Sequence, residues 1–152
     1  MGGDLIKAIL FCAGIALVLF ALYHSWRADY KSNLSIILLL AGALFLRIST
    51  SLDPFLHKWD ERYHALVARN LSHDFLTPRL YPKALLAYDY QSWVDNFIWL
   101  HKPPLPLWTI ALSIKYLGAN ELSVRLPSIL LSTLAVYFTW LIGLWLFSAR
   151  AG

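Results

Sequence analysis

Apolar residues along this chain are gathered into four blocks. Residues 5–23 are apolar apart from Lys7, and a second block covers residues 34–48. Two more blocks, residues 104–117 and 127–147, follow a long polar middle. Because about 20 apolar residues in a helix cross a bilayer, the pattern predicts an all-α, multi-pass transmembrane protein with about four spans.

The first block has an alternative reading as a cleaved signal peptide. The residues that follow it lack the small-x-small pattern of a cleavage site, which favours a retained span: Ala21-Leu22-Tyr23-His24-Ser25-Trp26. The link to the second block is short, so the first two spans should form a helical hairpin. Arg27 and Lys31 in this link favour a cytoplasmic position for it.

The polar middle, residues 49–103, should be a long loop that contains one or two amphipathic helices lying at the membrane surface. Asp53 followed by Pro54 resembles a helix start, and the helix would run through Leu71. At 100° per residue, four reactive side chains would then share about a third of its circumference: His57, Asp60, Glu61 and His64.

Prolines and a glycine mark the later helix ends. The run Pro103-Pro104-Leu105-Pro106 fits only the first turn of a helix, where missing N–H groups cost little. Gly118 is suited to end that helix. Residues 120–125 are expected to form a turn, with Pro127 opening the last span.

Composition supports a membrane protein. Apolar residues make up 59% of the 152 and charged residues only 14%, against roughly 45–50% and about 25% in soluble domains. The net charge of +4 suits contact with anionic lipids or phosphates. The chain has no basic run that would indicate nucleic acid as a partner. Its single cysteine, Cys12, excludes an intrachain disulfide.

Asp60 and Glu61 are the sharpest candidates for chemistry. A carboxylate here could act as a general base that takes the proton from an acceptor hydroxyl. The alternative is a solvated helix face with pairs at i,i+4, such as Asp60 with His64 or His57 with Glu61. Spacing alone leaves both readings open.

A second polar cluster, His101-Lys102, precedes the prolines. Lys102 could neutralise a phosphate on a lipid carrier, helped by the positive end of the following helix, or it could be an ordinary interfacial anchor. A divalent metal is a further possibility, because His57, Glu61 and His64 at i, i+4, i+7 could hold zinc. No known zinc motif is present, and solvated histidines are commoner.

From residue 34 to the end, the chain resembles the N-terminal region of the GT-C glycosyltransferases. The nearest branch contains the protein O-mannosyltransferases and the lipid A aminoarabinose transferases. Four stretches occur in the order of that family: Asp60-Glu61 followed by Ala65-Leu66-Val67-Ala68-Arg69-Asn70; Asp74-Phe75-Leu76-Thr77-Pro78; Lys102-Pro103-Pro104-Leu105 with Trp108; and Gly118-Ala119-Asn120-Glu121-Leu122-Ser123-Val124-Arg125-Leu126-Pro127-Ser128.

The resemblance implies transfer of a sugar from a polyprenyl-phosphate-linked donor to an extracytoplasmic glycan, lipid or protein. Asp60 would be the base, with Glu61 supporting it or binding the acceptor. Lys102 would meet the lipid phosphate beside His101, and His64 and Arg62 would give possible support. Residues 49–103 would lie outside the cell, with the protein in the plasma or inner membrane and in contact with its lipids.

Two features depart from the family. Residues 5–23 form an extra span before the usual first one. His101 also stands where the aminoarabinose transferases carry a metal-binding Glu, so His101, His57 and His64 are only weak metal candidates.

Family members are several times longer, so the chain is expected to be the N-terminal portion of an enzyme. The rival interpretation is a non-catalytic membrane module or partner subunit that retains the GT-C N-terminal fold. A transporter fragment, with Arg47 and Lys102 marking a path, is a third interpretation. It is disfavoured because no span has an ionisable residue near its centre.

Overall fold

The computed structural model describes residues 2–28, 33–85, 87–92 and 96–148. These residues form five helices and no named strand, which confirms the all-α prediction. The helices are α1 (Gly2–Arg27), α2 (Asn33–Ser51), α3 (Asp60–Leu71), α4 (Pro104–Leu117) and α5 (Glu121–Leu146). The chain divides into two compact units, Met1–Leu52 with Ser128–Gly152, and Asp53–Pro127. Lys31, invoked above for the orientation of the first link, lies outside the described residues.

Three helices in the described part of the chain are long and apolar enough to cross a membrane, namely α1, α2 and α5. The protein is therefore a helical membrane protein. The expected span over residues 104–117 is not among the three, because α4 has 14 residues. At about 1.5 Å per residue it measures roughly 21 Å, against about 30 Å for the hydrocarbon core.

In the first unit, α1 and α2 pack closely through two glycines. A Cβ built on Gly42 would come within 2.8 Å of Cγ2 of Val18 and 2.9 Å of the Gly14 carbonyl oxygen. A Cβ on Gly14 would meet the Leu46 side chain at 2.7 Å. Small residues let backbones approach where the hydrophobic effect does not drive helices together. This contact is the helical hairpin predicted from the short link.

Arg47 joins α2 to α5 within the same unit. Its guanidinium donates to the Ser132 hydroxyl at 2.6 Å, to the Ser132 carbonyl at 3.0 Å and to the Ala43 carbonyl at 3.1 Å. A charged group in an apolar helix is costly unless it is satisfied by hydrogen bonds. The contacts give Arg47 a role in packing.

The second unit has its own core between α3 and α4. Val67 and Ala68 of α3 and Ala111 of α4 are fully buried there, together with Leu71 and Leu107. These positions repeat at helical spacing, so each helix turns one apolar stripe toward the other.

The segments between α3 and α4 are tied to this core by hydrogen bonds. The Trp108 indole N–H donates to the Phe75 carbonyl at 2.8 Å, and the Asn70 amide donates to the Arg79 carbonyl at 2.8 Å. Arg79 also forms an isolated antiparallel bridge with Ile98. The core and these bonds hold in place the loop residues that carry the candidate chemistry.

The predicted start of the amphipathic helix at Asp53 and Pro54 is wrong, since α3 begins at Asp60. The backbone of the preceding loop is bonded to side chains instead. The Arg125 guanidinium donates to the carbonyl oxygens of Asp53 and Phe55 at 2.6 and 2.7 Å. The Glu61 carboxylate accepts the His57 N–H at 2.6 Å. His57 therefore does not share a helical face with the other three reactive residues.

The start of the last helix also differs from the prediction. Residues 120–125 are not a turn, because α5 begins at Glu121 and Pro127 lies inside it. The Asn120 side chain accepts the Ser123 N–H at 2.9 Å, which is the bond expected of a helix N-cap. The other end marks are confirmed, with Pro104 opening α4 and Gly118, at φ 86°, ending it.

Candidate functional site

Asp60 and Lys102 face each other although they lie far apart in sequence. Oδ2 of Asp60 is 3.5 Å from Nζ of Lys102, and their side chains are 69% and 33% exposed. Asp60 is the first residue of α3, where the helix dipole favours a carboxylate. Lys102 directly precedes Pro103, the N-cap of α4. The packing of α3 on α4 thus joins an acid and a cation at two helix starts, both open to solvent.

Trp99 is the buried support of this pair. It is 1% exposed, and its backbone N–H donates to the Pro78 carbonyl at 2.8 Å. The Tyr63 ring lies parallel to it at 6.2 Å, and the rings of His64 and His101 meet it edge-on at 5.9 and 5.4 Å. One buried indole therefore brings together α3 and the segment that leads to Lys102.

His64 lies partly buried within this cluster. Burial lowers its pKa below the usual value; Asp60 acts in the opposite direction, while Lys102 and His101 lower it further. The imidazole is therefore neutral at pH 7. Its Nε2 is buried and has no hydrogen-bond partner in the described part of the chain. A neutral imidazole nitrogen beside a carboxylate and an ammonium can accept or donate a hydrogen bond, depending on its tautomer.

Glu61 points to a different partner. Its Oε1 accepts from Nε of Arg125 at 2.6 Å and its Oε2 from Nη2 at 3.2 Å. Burial tends to raise the Glu61 pKa, but the bonds from Arg125 and from the His57 N–H outweigh it and lower the pKa. Glu61 is thus an ionised carboxylate that fastens the loop before α3, and it leaves Asp60 as the exposed acid.

The remaining site predictions fall outside the pair. Nε2 of His57 lies 3.1 Å from Oδ2 of Asp53, and Nε of Arg62 donates to the Leu56 carbonyl at 3.1 Å. Among the described residues no three His, Cys, Asp or Glu side chains form a group that could hold a metal. The suggested trio of His57, Glu61 and His64 is therefore not assembled among these residues.

Arg125 is the residue that sequence reasoning missed. An Arg shortly before Pro127 suggests a cytoplasmic-side anchor from the sequence alone, yet the Arg125 side chain is 10% exposed in the pair with Glu61. One signal was available. Arg125 is the fifth residue of α5, and a cation so near the start of a helix opposes the helix dipole, which points to a nearby carboxylate. No local pattern marks Trp99 as the centre of the aromatic cluster.

These features define a membrane protein with a polar, partly aromatic site between two short helices. The model of the family described as Dolichyl-phosphate-mannose-protein mannosyltransferase matches residues 101–152, about a third of the chain. The matched part begins at His101-Lys102 and includes α4 and α5. The predicted resemblance to GT-C glycosyltransferases is confirmed over those residues. Comparison with curated proteins and with solved structures found no match.

Proposed function

We propose that this chain contributes the acid-base site of a membrane glycosyltransferase that uses a polyprenyl-phosphate-linked sugar. Asp60 takes the proton from an acceptor hydroxyl while that oxygen attacks the anomeric carbon. The new glycosidic C–O bond forms as the bond from that carbon to the phosphate oxygen breaks, with inversion. The polyprenyl phosphate leaves with the electron pair, and Lys102 stabilises its negative charge.

The observation that carries this proposal is the 3.5 Å contact between Asp60 and Lys102. A base and a phosphate-binding cation must both lie within a few ångströms of the reacting carbon. The exposed Asp60 carboxylate can reach an acceptor, and Lys102 lies inside the stretch that matches the mannosyltransferase family. His64 and His101 border the pair and would shape its electrostatics.

The contact between Glu61 and Arg125 supports the placement of the second unit, residues 53–127, on one side of the membrane. Glu61 precedes α4 and Arg125 follows it, yet the two side chains are bonded. If α4 crossed the bilayer alone, they would lie on opposite sides. We therefore place residues 53–125 on one face, the extracytoplasmic one, where the related enzymes act. The acceptor is a glycan, lipid or protein of that compartment.

The test is Asp60→Asn in the full-length enzyme, assayed with a polyprenyl-phosphate sugar. Loss of the base should lower kcat by roughly 10²- to 10⁴-fold, while Asp89→Asn, an exposed acid of the same loop, should leave it unchanged. Wild-type turnover by Asp60→Asn would refute the proposal.

Two further observations separate this proposal from its rival. Coding sequence that continues past residue 152 into more apolar spans would support the N-terminal portion of an enzyme. A non-catalytic module or partner subunit would instead bind a partner protein, and Asp60→Asn would affect neither its binding nor the partner's activity.

A further inference from the structure

A pocket lies beside the start of α3, and neither Asp60 nor Lys102 is among its lining residues. Its volume is about 370 Å³, within the size range of small-ligand sites. Arg62, Tyr63 and Leu66 line it from α3. At 100° per residue these three positions span an arc of about 100°, and Asp60 falls outside it. The pocket and the proposed catalytic pair therefore share α3 but no side chain.

Cations and aromatic rings line this pocket together, and none of its lining residues is acidic. Lys58 and Arg62 supply the positive charge, and Trp59, Tyr63 and Tyr81 supply the rings. The bond from Nε of Arg62 to the Leu56 carbonyl uses one of five guanidinium N–H groups and fixes the orientation of the others. An Arg so held is suited to a phosphate, which it can bind through two parallel bonds.

Trp59 adds an independent observation. Its φ is 70°, a strained conformation that is sparsely populated by bulky residues. Its side chain is nonetheless 70% exposed, with the ring 6.4 Å from that of Tyr63. The strained backbone thus holds the large amphipathic Trp59 ring in solvent at the pocket. Because the ring is so exposed, packing in the protein core does little to offset the strain.

We propose that this pocket binds the phosphate headgroup of an anionic phospholipid. The phosphate meets Lys58 and Arg62, the Trp59 and Tyr81 rings take the headgroup level that suits amphipathic rings, and the exposed Leu66 contacts the upper part of the acyl chains. Charge complementarity selects an anionic lipid. The unit is joined at residues 52 and 128 to helices long enough to span a bilayer, which makes lipid the ligand present at the highest local concentration.

The test titrates the whole chain, in neutral maltoside micelles, with dihexanoyl phosphatidylglycerol, and follows bound lipid by native mass spectrometry. Each basic residue near an anionic lipid surface contributes about 1 kcal/mol. Lys58→Gln and Arg62→Gln should therefore each weaken binding about fivefold, and the double variant roughly 25-fold. Dihexanoyl phosphatidylcholine should bind much more weakly than the anionic lipid.

Two controls make the outcome decisive. Lys83→Gln removes an exposed charge of the same unit outside the pocket and should leave affinity unchanged; an equal loss there would mean non-specific attraction and overturn the proposal. Unchanged affinity in Lys58→Gln, which has no described side-chain bond to lose, would overturn it as well. Inorganic phosphate that displaced the lipid at equal concentration would show a site for soluble anions instead.

The binding assay contains neither sugar donor nor acceptor, so it does not depend on the proposed glycosyl transfer. Lys102→Ala should leave phosphatidylglycerol binding intact. If Lys102→Ala abolished binding and the pocket variants did not, the lipid would occupy the catalytic pair and the proposal would fail.

Discussion

Arg125 and Glu61 form a two-pronged ion pair across 64 positions of sequence, with Nε–Oε1 at 2.6 Å and Nη2–Oε2 at 3.2 Å. The same guanidinium donates hydrogen bonds to the carbonyl oxygens of Asp53 and Phe55. One side chain thus joins the start of α5, the start of α3 and the loop that precedes Asp60. The pair therefore fastens the loop that leads into Asp60.

Removal of the Arg125 side chain should therefore destabilise the second unit. Arg125→Gln leaves the Glu61 carboxylate, 20% exposed, without its partner, and the loss should be about 3 kcal/mol. Arg125→Lys keeps the charge but not the fork, and should recover part of the loss. Thermal unfolding in detergent measures both. Combination with Glu61→Gln should cost less than the sum of the single changes, and strict additivity would contradict the pair.

Acid should loosen the same contact. The folded-state pKa of Glu61 lies below its ordinary value of 4.5, so the unfolded chain binds the proton more readily. The pair's contribution is then fully present above about pH 4.5 and is lost as pH falls through the folded pKa. We expect the unfolding temperature to drop more steeply below pH 4.5 in the wild type than in Glu61→Gln. Parallel pH profiles would contradict this assignment.

The glycine contact between α1 and α2 predicts a packing defect in the first unit. A Cβ at Gly42 meets the Gly14 carbonyl at 2.9 Å, and backbone cannot move aside as a side-chain tip can. Gly42→Leu should push the helices apart and lower the unfolding temperature in detergent, as overpacking does at a cost of about 1–3 kcal/mol. Gly3→Leu, where nothing lies within 4 Å, is the matched control and should have little effect.

Cysteine labelling can test whether α4 spans the membrane. In a Cys12→Ser background, single cysteines at Lys83, before α4, and at Ala119, after it, should react with an impermeant maleimide from the same side. A cysteine at Ala28, after α1, should react from the other side, since α2 lies between. Labelling of positions 83 and 119 from opposite sides would show instead that α4 crosses the membrane as a fourth span.

Under the proposed glycosyl transfer, replacements of Lys102 and of Asp60 should affect different kinetic constants. Loss of a charge-assisted contact to the donor phosphate costs roughly 1.5–3 kcal/mol, so Lys102→Ala should lower kcat/KM about 10- to 150-fold. Lys102→Arg should retain much of the activity. Part of the Lys102→Ala loss should appear as a higher KM for the donor, whereas Asp60→Asn should act on kcat. Equal effects on kcat alone would argue against a phosphate contact by Lys102.

Local patterns were enough for much of the fold. The apolar blocks predicted α1, α2 and α5, because burial in a bilayer needs only a long run of apolar side chains. Pro104 and Gly118 marked the ends of α4, since backbone constraints act over one or two residues. Hydropathy alone could not assign the environment of α4, because an apolar run of 14 residues suits a packed core or an interface as well as a short span.

Tertiary contacts decided the site. A helix start at Asp53 competes with the hydrogen bonds that Arg125 donates to the loop carbonyls and that Glu61 accepts from the His57 N–H. A helix cap contributes only about 1 kcal/mol. Several charge-assisted bonds to the loop outweigh that local preference, so α3 begins at Asp60. By itself the sequence determined the apolar helical segments and which residues can carry acid-base chemistry, but not where α3 and α5 begin. Only the tertiary contacts of α3 with the start of α4 and with the start of α5 decided that Asp60 faces Lys102 while Glu61 faces Arg125, because partners dozens of residues apart leave no local pattern.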